Sequence, residues 1–114
     1  MLISFYATLA GVTANLLKDE AKLTLSCKAE DMDADVLDDL AGLSNTQAPS
    51  DVSLSGEGRE VALPCIVAGV VTDHAKRLVK ITLGMPEKRI QTTDKSTLEL
   101  WFRMENEIAV EVSN

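Results

Sequence analysis

The sequence predicts a small α+β domain, mostly β, in which a strongly curved antiparallel sheet or small partial barrel of about six strands in hairpins carries one short acidic helix. Three observations support this fold class. Apolar and polar residues alternate over most of the chain, which is the two-residue period of a half-buried strand. Residues 31–43 change to a helical period, and polar stretches separate the apolar runs. The 114 residues are predicted to form one domain over 1–114.

The first two strands are predicted within residues 2–28 and form an antiparallel hairpin. In the first strand Ile3, Phe5, Ala7 and Leu9 share one face, while Tyr6 falls on the opposite, more polar face. Gly11 interrupts the pattern and indicates a bulge. The uncharged run 2–17 is shorter than the about 20 apolar residues of a membrane-spanning helix, and it lacks the basic start of a secretory signal. A cytoplasmic protein is therefore expected.

The single predicted helix covers residues 31–43. Met32, Val36, Leu40 and Leu43 form one stripe at helical spacing, and the acidic residues before them suit the start of a helix. The segment 44–60 is polar and contains Pro49, Gly56 and Gly58, so it is predicted to be a long loop with a short edge strand inside it.

The second half of the chain predicts two more hairpins. The apolar run 61–71, the polar turn 72–77 and the run 78–83 form the first of them, with Pro64 at an edge or bulge. Alternation over 98–103 and 108–112 predicts the other, with Phe102 in the core and Trp101 on a polar face. No internal repeat is recognised.

The charge of the chain favours some classes of binding partner over others. A formal net charge of -7 disfavours nonspecific binding to duplex DNA, which needs clustered Lys and Arg, and it favours basic partners. Residues 76–95 are the exception, because basic side chains outnumber acidic ones there. No catalytic constellation or phosphate-binding glycine loop is present, so neither an enzyme nor a cofactor is predicted.

Two further features, an acidic run and a single histidine, are typical of metal or catalytic sites, but neither is interpreted as one. Asp31, Asp33 and Asp35 match the start of a calcium-binding EF-hand loop, but Val36 stands where the loop needs Gly and Gly42 stands where it needs Glu. No metal site is therefore predicted. The lone His74 is interpreted as a residue of an exposed turn.

The two cysteines, Cys27 and Cys65, are far apart in sequence and lie in apolar runs. They are predicted to be buried, reduced thiols rather than a disulfide or a zinc site.

The favoured hypothesis is a non-enzymatic binding module that acts through protein–protein contacts: self-association as a homo-oligomer, binding to a larger basic partner, or both. One version is an inhibitor or accessory factor of a phage or mobile element. The contact candidates are acidic residues of the helix region and the two aromatics expected on an uncovered sheet face: Asp31, Asp35, Asp38, Asp39, Tyr6 and Trp101.

The alternative hypothesis is a single-stranded nucleic-acid-binding protein with an OB-like barrel. Aromatic side chains would stack on bases and basic side chains would follow the phosphates. The candidates for this function are Tyr6, Trp101, Lys76, Arg77, Lys80, Arg89 and Arg103.

Overall fold

Six antiparallel strands form a closed ring in a computed structural model that describes residues 2–15 and 17–114. The order around the ring is β1-β2-β5-β4-β3-β6. The elements along the chain are β1 (Leu2–Asn15), β2 (Glu20–Lys28), α1 (Ala34–Thr46), β3 (Ser50–Gly56), β4 (Arg59–Asp73), β5 (Leu78–Met85), α2 (Thr92–Met104) and β6 (Glu107–Ser113). A short 3₁₀ turn precedes each helix, at Ala29–Asp31 and Glu87–Arg89. The predicted fold class, α+β and mostly β, is confirmed.

The core fills the inside of the ring. Alternate residues of β2, β3, β5 and β6, and of the first halves of β1 and β4, point inward and are buried, as the two-residue period predicts. In β1 these are Ile3, Phe5, Ala7 and Leu9, and each helix adds apolar side chains such as Leu40 and Leu98. Because the sheet closes on itself, its inner face is covered without a partner. The seven exposed large hydrophobic residues among those described are spread over several elements.

The two hairpins that the alternation predicts, β1–β2 and β4–β5, are confirmed. The register of β1 shifts between Leu9 and Gly11, so the predicted bulge is also present. The first helix exists but runs over 34–46 instead of 31–43, and Gln47 ends it in a left-handed conformation. The predicted loop 44–60 is wrong, since most of it is the end of α1 and the whole of β3. Strand β3 is not an edge strand, because it pairs with both β4 and β6.

The third predicted hairpin is wrong, because residues 92–104 form a second helix. The buried side chains of α2 are Thr97, Leu98 and Trp101, which is the spacing of one helical face. Trp101 is 0% exposed and Phe102 is 45% exposed, the reverse of the sequence prediction. A strand would have placed these neighbours on opposite faces with Phe102 inside, whereas the helix turns Trp101 into the core.

The chain is an internal duplication, which the sequence analysis missed. The elements β1-β2-α1-β3 recur as β4-β5-α2-β6 at an offset of about 58 residues, and exchanging the halves maps the strand ring onto itself. The bulge at Gly11 recurs at Gly69. The Ala29 N–H donates a hydrogen bond to the Arg77 carbonyl, with nitrogen and oxygen 2.9 Å apart. At the equivalent place the Glu87 N–H donates to the Asp19 carbonyl, with the two atoms 3.2 Å apart. The protein is therefore built from two equivalent ββαβ units with interleaved strands.

Each long strand changes its pairing partner along its length. Strand β1 pairs with β6 over residues 2–8 and with β2 over residues 8–15. Strand β4 likewise pairs with β3 over residues 59–65 and with β5 over residues 66–73. The neighbouring strands diverge at these two places, which are equivalent in the two halves. Among the described residues, no helix is long and apolar enough to cross a membrane.

Candidate functional site

Two surface grooves occupy the two places where the strands diverge. The first, the Tyr6 groove, has a volume of about 630 Å³ and lies between β1, the end of β2 and the start of α1. The second, the proline groove, has a volume of about 860 Å³ and lies between β4, the end of β5 and the segment after it. Many of their lining residues are equivalent under the internal duplication, for example Tyr6 with Pro64 and Asp31 with Arg89. The fold therefore presents the same groove twice with different chemistry.

Tyr6 stands on the outer face of β1, with its side chain 66% exposed. It pairs with Ala109 of β6. Glu107 and Glu111 are the residues two positions before and after Ala109 on the same face of the sheet, opposite Thr8 and Ser4. Such diagonal neighbours lie about 7–8 Å apart, within reach of long side chains. Two carboxylates therefore bracket the exposed aromatic ring.

The opposite wall of the Tyr6 groove brings two more carboxylates, Asp31 in the 3₁₀ turn and Asp33 at the start of α1. Lys28 is the one basic residue in the lining. In the part of the chain that the structure describes, none of the ion pairs uses any of these four carboxylates. The groove thus presents net negative charge that none of the ion pairs found in the described residues neutralises.

The floor of the Tyr6 groove is apolar. Phe5 and Cys27 are buried, and Met32 and Val36 are partly buried against the core. A bound segment would therefore meet acidic groups at the rim and a hydrophobic surface below. This combination of a polar rim and an apolar base is common to binding sites in proteins.

The proline groove differs from the Tyr6 groove in its charge and in its prolines. All three prolines of the chain line it: Pro49, Pro64 and Pro86. Its charged residues are of both signs: Asp19, Glu20 and Asp51 are acidic, and Lys22 and Arg89 are basic. It therefore lacks the one-sided charge of its counterpart.

Both cysteines are free, buried thiols, as the sequence predicts. Burial, with a smaller contribution from the charge of Asp31, raises the pKa of Cys27 to about 11. Burial and then the charge of Asp51 raise the pKa of Cys65 to about 12. The Cys27 thiol donates to the carbonyl of Val79, with the sulfur and oxygen 3.6 Å apart. The thiolate is the nucleophilic form of cysteine, so neither side chain is activated for nucleophilic chemistry near neutral pH.

The structure brings together only part of the predicted contact set. Tyr6 and Asp31 line the same groove, whereas Asp35, Asp38 and Asp39 are exposed on α1 outside its lining. Trp101 contacts the core and presents no surface, so its predicted place on an exposed face is wrong.

The basic residues predicted for nucleic-acid binding are divided over the surface. Lys76 and Arg77 occupy the turn between β4 and β5, next to Ala29. Arg89 lies in the 3₁₀ turn that contacts the β1–β2 turn. In the other half, the equivalent contact is the one between Ala29 and the β4–β5 turn. Arg103 is on α2, where it pairs with Glu99, and Lys80 points outward from the middle of β5. The positive segment 76–95 is therefore not one continuous patch.

Sequence reasoning missed Asp33, Glu107 and Glu111 as site residues. The alternation over 107–112 places the two glutamates on one face, but only the pairing of β6 with β1 brings them beside Tyr6. That long-range register is not encoded locally. Among the described residues, no three His, Cys, Asp or Glu side chains are close enough to hold a metal ion.

Comparison of the chain with models of protein families, with characterised proteins and with solved structures gives no significant match.

Proposed function

We propose that the protein is a non-enzymatic binding module that uses the Tyr6 groove to bind a basic segment of a partner protein. One observation carries the proposal: an exposed tyrosine in a groove is surrounded by four carboxylates that have no ion-pair partner among the described residues. Lys and Arg pair with carboxylates and are also attracted to the face of an aromatic ring.

The charges and the aromatic ring contribute differently to such binding. Exposed ion pairs are worth only about 0–1 kcal/mol each, so four carboxylates mainly speed association and select for basic partners. Tyr6 supplies a large, rigid contact of the kind that anchors protein interfaces. Binding is therefore expected to weaken with salt but to retain a component that depends on Tyr6.

The test uses fluorescence anisotropy with a labelled peptide rich in Lys and Val, at about 50 and 200 mM salt, where surface charges are screened to different extents. The double variant Glu107→Gln/Glu111→Gln removes two groove carboxylates. Its matched control, Asp38→Asn/Asp39→Asn, removes the same charge from α1 outside the groove. We expect the groove variant to lose several-fold more affinity than the control. Equal losses would mean that only the net charge of the protein attracts the peptide.

Tyr6→Ala separates the contribution of the ring from that of the charges. We expect it to weaken binding at both salt concentrations, because stacking and packing are not screened. An unchanged affinity would remove the tyrosine from the proposal.

Single-stranded nucleic acid is the competing class of partner, and a labelled oligonucleotide measured in the same assay tests it. Salt-sensitive binding that is lost in Lys76→Gln/Arg77→Gln but kept in the groove variant would favour that class. With Trp101 in the core, Tyr6 is the one predicted aromatic left on the surface to stack on a base.

A further inference from the structure

One edge of β1 is left without a partner strand beside the Tyr6 groove. Over residues 2–7 the strand pairs with β6 on one side, but its pairing with β2 on the other side begins only at Thr8. Strand β2 continues through Cys27 and Lys28 without returning to β1. In the described chain, no other backbone hydrogen bond reaches residues 3–7. Unpaired N–H and C=O groups along a strand are a template for adding another strand.

We propose that the partner's segment binds in the Tyr6 groove as an added β-strand that pairs with this free edge of β1. The inference rests on the proposed function, since it concerns the same groove and the same basic partner. Strand addition supplies affinity through main-chain hydrogen bonds, while alternate side chains supply specificity. The occupant is therefore an extended segment rather than a helix or a folded surface.

The second half of the chain supports this assignment by contrast. The counterpart of Tyr6 is Pro64, which lies on the free edge of β4 and pairs with Asp51 of β3. Proline has no N–H, so in a paired strand its nitrogen must face the side without a partner. By the duplication, the N–H of Tyr6 faces the free edge of β1. The proline groove has thus lost a main-chain donor that the Tyr6 groove retains.

The two walls of the groove define the pattern of the added segment. Successive side chains of a strand point to opposite faces. One set would lie level with Tyr6, near the carboxylates of Glu107 and Glu111, and the other set would face the apolar floor at Phe5 and Met32. A segment that alternates basic and apolar residues meets both requirements. The free edge spans residues 2–7, so about six residues are sufficient, at about 3.3 Å each.

The decisive experiment scans a labelled peptide of alternating Lys and Val with single backbone N-methyl groups, and it uses the unaltered protein. Methylation removes one donor at a time, so positions whose N–H faces β1 should lose affinity by about tenfold, while the intervening positions should change little. The expected signature is a loss with a period of two residues. Losses with no such period, or none at all, would overturn strand addition.

A pair of protein variants provides a second measurement. Tyr6→Ala loses the ring and keeps the backbone N–H, whereas Tyr6→Pro loses both the ring and the donor and copies the residue found in the other half. Since β4 carries Pro64 at this place in the same fold, Tyr6→Pro is expected to fold, which far-UV circular dichroism verifies. We expect Tyr6→Pro to bind at least tenfold more weakly than Tyr6→Ala, because tenfold is the cost of about one hydrogen bond.

The outcomes separate the two proposals. If the peptide binds and the groove carboxylates matter, but neither N-methylation nor Tyr6→Pro has the expected effect, strand addition fails and the acidic binding groove remains. If the peptide does not bind at about 50 mM salt, where attraction between exposed charges is strong, both proposals fail. A period of two together with the loss in Tyr6→Pro supports the added strand.

Discussion

Replacing Trp101 with Ala tests whether α2 closes the core as a helix. The side chain is 0% exposed, and a tryptophan buries about 150–250 Å². At about 25 cal/mol per Å², this burial is worth roughly 4–6 kcal/mol, similar to the about 3–5 kcal/mol measured for such truncations. The buried Nε1 finds no hydrogen-bond partner among residues 2–15 and 17–114, and the cost of that unpaired donor disappears with the side chain. We therefore expect Trp101→Ala to lower the free energy of unfolding by about 3 kcal/mol, near the lower end of that range.

The assay is urea unfolding followed by far-UV circular dichroism, which does not depend on the tryptophan itself. Phe102→Ala is the matched control, because the neighbouring ring is 45% exposed and should cost less than about 1 kcal/mol. Trp101→Phe keeps an aromatic ring and removes the unpaired donor, so it should cost clearly less than Trp101→Ala. If Trp101→Ala cost no more than Phe102→Ala, residues 98–103 would not be arranged as the helix described above.

Three further predictions concern the thiols, calcium and self-association. Burial raises the pKa of Cys27 to about 11 and that of Cys65 to about 12, so above pH 9 the unfolded chain loses thiol protons that the folded chain retains. The free energy of unfolding should therefore fall from pH 9 to 11. The fall should be less steep in Cys65→Ala. Calorimetry should detect no saturable calcium binding in the micromolar range, as Val36 and Gly42 occupy the places of the required Gly and Glu. Self-association remains a prediction, and light scattering after gel filtration tests it. A monomer near 12.3 kDa at tens of micromolar protein would contradict it. If the exposed Phe102 takes part in the contact, Phe102→Ser should lower the apparent mass.

The sequence contained enough information for the strands whose alternation is local. Strands β1, β2, β4 and β5 join through short turns, so their pairing follows from neighbouring residues. It did not reveal how β3 and β6 close the ring, because those pairings join distant parts of the chain. The acidic character of the site was predictable from composition, but its position beside Tyr6 depends on this closure.

The missed helix α2 illustrates a conflict between two periods. Leu98, Leu100 and Phe102 alternate like a strand, although the segment is rich in good helix formers. The Glu99–Arg103 pair, four residues apart, was the local sign of a helix.

The duplication held a stronger sign that was also overlooked. The letters AGV at 10–12 recur at 68–70, and Lys-Leu-Thr-Leu at 22–25 recurs as Lys-Ile-Thr-Leu at 80–83, both at a spacing of 58. Transferring α1 by that spacing would have predicted α2 at its observed place.

The turn between the two halves has a consequence for the order of the chain. Gly56 and Arg59 pair across Glu57 and Gly58, which both have positive φ values, 51° and 72°, as a tight two-residue hairpin requires. Leu2 pairs with Ser113 as Glu60 pairs with Ser55 beside this turn, so β6 and β1 lie side by side where a second copy of the turn would join them. Because the two halves are equivalent, the fold does not depend on which half comes first in the chain. A circularly permuted chain, in which a turn joins Ser113 to Leu2 and the backbone is cut at 57–58, would bury the same residues in the same pairings.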